Sequence, residues 1–142
     1  MTHKATKLFA VLAILAASIQ GFAQDPQEQE REQQKKFDEY IEKQVDSFTT
    51  LLDLEDWQMF YVDSILRADK GQLGEEIKDL SKSRVYNSDL YVMVQDRCDE
   101  RIYNAFRKVF NDEQWAKYLK TGAAREKKAR DKRAAKRESG SK

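Results

Sequence analysis

Apolar residues recurring at helical spacing restrict this chain more than any other feature. Phe37, Tyr40, Ile41, Val45, Phe48, Leu51 and Leu52 form one stripe, and Leu90, Val94, Cys98, Ile102, Phe106 and Val109 form another. Residues three and four apart share one side of an α-helix, so each stripe needs a neighbour to cover it. The only proline is Pro26, and Glu, Lys, Arg, Gln, Leu and Ala dominate the composition. Such a chain is predicted to be all-α: an elongated four-helix arrangement of helical hairpins with two capped corners, preceded by a signal peptide.

The corners read as one phrase used twice. Phe48 to Trp57 returns 58 positions later as Phe106 to Trp115, aligning Leu52 with Phe110, Asp53 with Asn111 and Trp57 with Trp115. In each copy one helix ends and another begins, with Asp53 or Asn111 expected as the N-cap whose side chain accepts an orphaned first-turn N–H. Gln114 stands where it can reach back to the cap's own N–H, whereas Asp56 in the equivalent place is too short. Leu52 with Trp57, and Phe110 with Trp115, are the expected hydrophobic staples.

Asp25-Pro26 is a good helix start, and the polar stretch that follows is either disordered or a solvated first part of helix 1. Helix 2 opens with Trp57, Met59, Phe60, Tyr61, Val62, Ile65 and Leu66, which lie all round the cylinder. Two readings follow: these residues form a core with Tyr and Met at its edge, or they present a surface to another protein. Gly71 and Gly74 predict a kink or short break, and residues 81–88 a loop. On helix 3, Cys98 falls on the apolar stripe as a small buried hydrophobe, with an intermolecular disulfide as the sharper alternative. Tyr91, Val92 and Tyr103 flank that stripe. The candidate protein-binding residues are therefore Trp57, Met59, Phe60, Tyr61, Val62, Leu66, Tyr91, Val92 and Tyr103. Helix 4 packs Trp115, Tyr118 and Leu119 and gives way after Gly122 to a basic tail without large apolar residues.

Residues 1–23 read as a secretory signal: Lys4 and Lys7, an apolar run from Leu8 to Ile19, and small residues before a cut after Ala23. The expected address is the periplasm or the exterior. Four segments follow: 1–23 signal peptide, 24–36 polar N-terminal stretch, 37–120 helical domain, and 121–142 basic tail, helical or disordered. Residues 24–116 carry 13 Lys/Arg against 22 Asp/Glu, and residues 117–142 carry 11 against 3. An acidic body thus precedes a tail that is either solvated or docked on an anionic surface, be it lipid, a client or an acidic body. Export argues against nucleic acid.

Chemistry-bearing groups are sparse. His3, the only histidine, lies in the signal, so the expected mature chain has no imidazole for acid–base work or zinc. Cys98 has no neighbouring base, and Gly71-Gln72-Leu73-Gly74 matches no nucleotide-binding loop. Acidic groups at 75, 76 and 79 and at 96, 99 and 100 could gather a hard cation, but Arg97 and Arg101 favour charge pairing. No enzyme, no cofactor and no metal is expected.

With these features the chain resembles the Spy/CpxP-like family of periplasmic proteins, whose Leu-Thr-x-x-Gln motif occurs twice, each time at a helix start. The matching positions are Leu52-Asp53-Leu54-Glu55-Asp56 and Phe110-Asn111-Asp112-Glu113-Gln114. Asp and Asn replace Thr, and only the second copy keeps Gln. The chain is also similar to small exported helical proteins of Bacteroidetes-type bacteria. The resemblance implies a thin, curved helical homodimer that shields unfolded clients without ATP or tunes an envelope-stress sensor. A dedicated scaffold subunit for one envelope partner, without chaperone activity, is the competing expectation. Burial arithmetic independently favours a homodimer, because slender chains of this size bury little core.

Overall fold

The computed structural model describes residues 25–140, so the predicted signal peptide and the expected cut after Ala23 lie outside the described residues. These residues fold into α1 (Pro26–Leu52), α2 (Asp56–Lys82), α3 (Ser88–Val109), α4 (Asp112–Tyr118), a π-helical turn (Leu119–Ala123) and α5 (Ala124–Gly140), with no strand among them. None of these helices is long and apolar enough to cross a membrane.

The chain divides into two compact units at Lys35. Residues 25–35 belong to the first and form the opening turns of α1, not a disordered stretch. The Asp25 carboxylate accepts the Gln27 N–H at 3.1 Å. Pro26 takes the first helical position, where a missing N–H costs nothing.

From Lys36 onward the second unit holds the core. Ile41, Val45 and Leu52 of α1 meet Val62, Leu66 and Leu73 of α2 and Val94, Cys98, Ile102 and Phe106 of α3, with Leu54 and Phe110 closing the corners. Leu51 departs from the predicted stripe and is 47% exposed. At one end the core turns aromatic. Tyr118 of α4 sits among Phe48, Phe106, Phe110 and Trp115 with ring centroids 5.3 to 5.9 Å apart. The three phenylalanines meet Tyr118 edge to face, so positive ring edges meet negative ring faces, and Trp115 is tilted against it.

The first corner differs from its prediction. Asp53 does not cap α2; it ends α1 in the left-handed conformation, with φ 53°. Leu54 N–H then reaches back to the Thr49 carbonyl at 3.3 Å, closing a Schellman-type end. Aspartate tolerates this backbone better than most residues. The N-cap of α2 is Glu55, and Gln58 is the residue that reaches back to it. Arg84, also at φ 53°, ends α2 in the same manner, with Val85 N–H on the Leu80 carbonyl at 3.0 Å. Asn87 caps α3 through the Asp89 N–H. The predicted loop at 81–88 is therefore confined to the turn between Lys82 and Ser88.

No break occurs at Gly71 or Gly74, and α2 is continuous. Leu73, Ile77 and Leu80 pack on the core around the glycines. Three ion pairs also tie this stretch to α3: Asp69–Arg101 at 2.6 Å, Lys70–Asp99 at 3.0 Å and Glu76–Arg97 at 2.7 Å. Together these outweigh a helix-propensity penalty of about 1 kcal/mol per glycine.

The basic tail is helical and docked. Gly122, at φ 111°, interrupts the helical backbone and turns the chain into α5. Along α5, Lys127 and Arg130 meet Glu100 of α3, and Arg133 and Arg137 meet Asp96 one turn nearer the start of α3. Rising tail numbers meet falling α3 numbers, so α5 runs antiparallel to α3. The acidic surface it occupies belongs to its own chain.

Candidate protein-binding surface

A buried pair of glutamines positions the start of α2. Gln58 Nε2 donates to Gln114 Oε1 at 2.7 Å, and Gln114 Nε2 donates to Gln58 Oε1 at 2.9 Å. Each oxygen also accepts the N–H of its own cap residue, Glu55 or Asn111, at 3.0 Å. Each amide nitrogen donates again to the carbonyl two residues before the other cap, Val109 at 3.0 Å and Asp53 at 3.4 Å. The two corners are thus related by an approximate two-fold, and every amide atom of the pair is satisfied, as burial requires. This relation aligns Glu55 with Asn111 and Gln58 with Gln114, an offset of 56 residues and not 58.

The corrected register rotates the predicted staple. Leu54, not Leu52, precedes the first cap, and Met59, not Trp57, occupies the fourth helical position, where it packs partly buried on the core. Leu52 is core. In the second copy Phe110 is buried and Trp115 half-buried, and each packs against Tyr118.

Freed from the corner, Trp57 faces outward. Trp57 is 51% exposed, Phe60 68% and Tyr61 52%. Their rings meet edge to face, Trp57 on Tyr61 at 6.1 Å and Phe60 on Tyr61 at 5.8 Å. The indole Nε1–H donates to Glu55 Oε2 at 2.7 Å. Asp53, Glu55 and Asp56, the residues before Trp57, are exposed as well apart from the buried Leu54 between them.

The other predicted surface residues do not join this trio. Val62 and Leu66 are buried in the core, because they lie on the opposite side of α2. Tyr91 is half-buried, its hydroxyl donating to the Val85 carbonyl at 2.9 Å. Val92 is exposed on α3. Tyr103 packs on Trp115 at 4.9 Å and lies beneath Lys127 and Arg130 of α5.

The titratable groups are structural. Burial pushes the Cys98 thiol up to about 11, with Lys70 nearby opposing. Cys98 is fully buried and its Sγ donates to the Asp69 carbonyl at 3.4 Å, so it cannot reach another chain's thiol. Burial works against the charge of Lys70, yet Asp99 at 3.0 Å, together with Cys98 and Tyr40 nearby, more than offsets it and raises the pKa. Burial likewise works against the Asp96 carboxylate, but Arg133 and Arg137 hold its pKa below the ordinary value. Asp96, Asp99 and Glu100 are thereby taken by cations of the same chain. Sequence reasoning missed Gln58, Asp96, Arg133 and Arg137. A Gln three residues after a candidate cap was a usable signal for the first; nothing local marks the others.

Comparison of the chain with protein-family models, with curated proteins and with solved structures returns no match.

Proposed function

We propose that this chain is an exported, ATP-independent protein-binding protein, an envelope chaperone or stress adaptor that holds other proteins on the face of α2 opened by Trp57, Phe60 and Tyr61. The observation that carries this reading is the clustering of three half-exposed aromatic rings in a helix whose other large apolar residues are buried or partly buried on the core. Aromatic side chains gain most from leaving water, and adjoining ones at a surface mark contact sites. The corrected register adds support. Leu54-Glu55-Asp56-Trp57-Gln58 and Phe110-Asn111-Asp112-Glu113-Gln114 both end in Gln at a helix start, closer to the Leu-Thr-x-x-Gln pattern of the Spy/CpxP-like proteins than the first alignment was. Export rests on residues 1–23.

Light scattering from an unrelated, chemically denatured protein tests the reading. Residues 24–142 at stoichiometric amounts are expected to slow its aggregation. The triple variant Trp57→Ala, Phe60→Ala, Tyr61→Ala is expected to lose most of that effect with unchanged far-UV circular dichroism, since exposed rings contribute little to the core. No protection by the wild-type chain overturns the reading. Capture of a single envelope protein without general protection assigns the scaffold role instead.

A further inference from the structure

The aromatic trio lies beside carboxylates, and elsewhere in this molecule a ring beside a carboxylate is where a cation sits. Lys127 Nζ stands 5.9 Å from the centroid of the Tyr103 ring and the Arg130 guanidinium 5.6 Å, and Glu100 pairs with both cations at 3.2 Å. Arg107 lies 5.3 Å from the centroid of the Trp115 ring and pairs with Asp112 at 3.0 Å. Trp57 has the same two components. Its indole is held by the Glu55 carboxylate at 2.7 Å, Asp56 and Asp53 are exposed nearby in the chain, and among the described residues no cation lies over the ring.

We infer that the Trp57 face takes cationic segments: stretches of a partner protein in which Lys or Arg alternates with apolar side chains. This rests on the reading of that face as the protein-binding surface, and it names the chemistry of the partner. Phe60 and Tyr61 cover the apolar residues. The face of Trp57 attracts the cation through its ring quadrupole, and Glu55 and Asp56 supply the counter-charge. The exposed carboxylates of Asp53, Glu55 and Asp56 beside Trp57 favour positive segments and disfavour negative ones. Occupied by an internal helix, the Tyr103–Glu100 arrangement is the template for the open site.

Fluorescence anisotropy of labelled unstructured peptides on the exported form, residues 24–142, is the test. One peptide alternates Leu with Arg, a second replaces every Arg by Gln, and a third replaces every Arg by Glu. The Arg peptide is expected to bind about tenfold tighter than the Gln peptide, with the advantage shrinking as salt rises. The variant Asp53→Asn, Asp56→Asn leaves the Glu55 cap in place and is expected to narrow the advantage severalfold without weakening the Gln peptide. Removing the three rings is expected to abolish binding of both. Equal binding of Arg and Gln peptides, or tighter binding of the Glu peptide, overturns the inference while leaving the aggregation result, and so the protein-binding reading, standing. Failure of every peptide together with absent aggregation protection sinks both.

Discussion

Gln58 and Gln114 show how much two uncharged side chains can determine. Each amide closes a capping interaction in its own corner and joins that corner to the other, so removal of one leaves buried partners unpaired. Gln58→Ala is expected to cost about 1–3 kcal/mol in urea unfolding, because the Val109 carbonyl and the Gln114 amide lose their bonds. Adding Gln114→Ala should then cost less than it does alone, the signature of two residues acting as one unit. Cys98 makes a different kind of prediction. Its folded pKa of about 11 lies above the ordinary 9.0, so the neutral thiol is favoured in the native state. That contribution is fully present below pH 9 and is lost as pH rises from 9 toward 11, where the unfolded thiol ionises first. The loss is of order 2 kcal/mol and should be absent in Cys98→Ala when the two proteins are compared by urea unfolding at pH 8 and pH 10.5. Native Cys98 should also resist alkylation until the chain opens.

At the scale of the element, α5 is held chiefly by charge. It has no large apolar residue to bury, and Asp96, with only 10% of its side chain exposed, anchors it through Arg133 at 2.6 Å and Arg137 at 2.8 Å. The folded pKa of Asp96 is lowered from 3.8, so its contribution is complete above that value and is lost as pH falls through the folded value. Hydrogen-exchange protection in residues 124–140, relative to the unfolded chain at the same pH, should therefore fall in acid below about pH 3.8, and at neutral pH in Asp96→Asn. High salt should weaken the docking in the same direction, since the arginines remain partly in water. Within α2 the opposite manipulation is available. An added Cβ at Gly74 meets nothing within 4 Å, so Gly74→Ala is expected to stabilise the chain by up to about 1 kcal/mol, read as a shift in the urea midpoint. Gly122 differs because φ 111° strains any other residue, and Gly122→Ala should cost about 1–3 kcal/mol.

For the whole molecule, the balance of buried and exposed apolar surface matters most. The second unit encloses a modest aliphatic core with an aromatic end, yet leaves Trp57, Phe60 and Tyr61 more than half in water and Leu51 nearly so. Small helical units with such a balance gain by association. We expect sedimentation equilibrium of residues 24–142 to give the mass of two chains; the mass of one chain would refute this. An unchanged dimer mass in the variant lacking the three rings would leave that face free for clients.

Much of this architecture was legible before any coordinates. Periodicity marks α1 and α3, because a stripe at 3.6-residue spacing has only one regular solution, and Asp25-Pro26 and the Asn111–Gln114 box announce their helix starts through local hydrogen-bonding capacity. Local chemistry could not choose between Asp53 as a cap and Asp53 as a left-handed terminator, since aspartate suits both. That choice was made by the bond between Gln58 and Gln114, residues far apart in sequence, and it turned Trp57 from a staple into a surface. Tertiary structure likewise decided that the glycines of α2 do not break it and that the basic tail lies on Asp96 and Glu100. Those outcomes depend on energies shared between distant segments, and no window of neighbouring residues contains them.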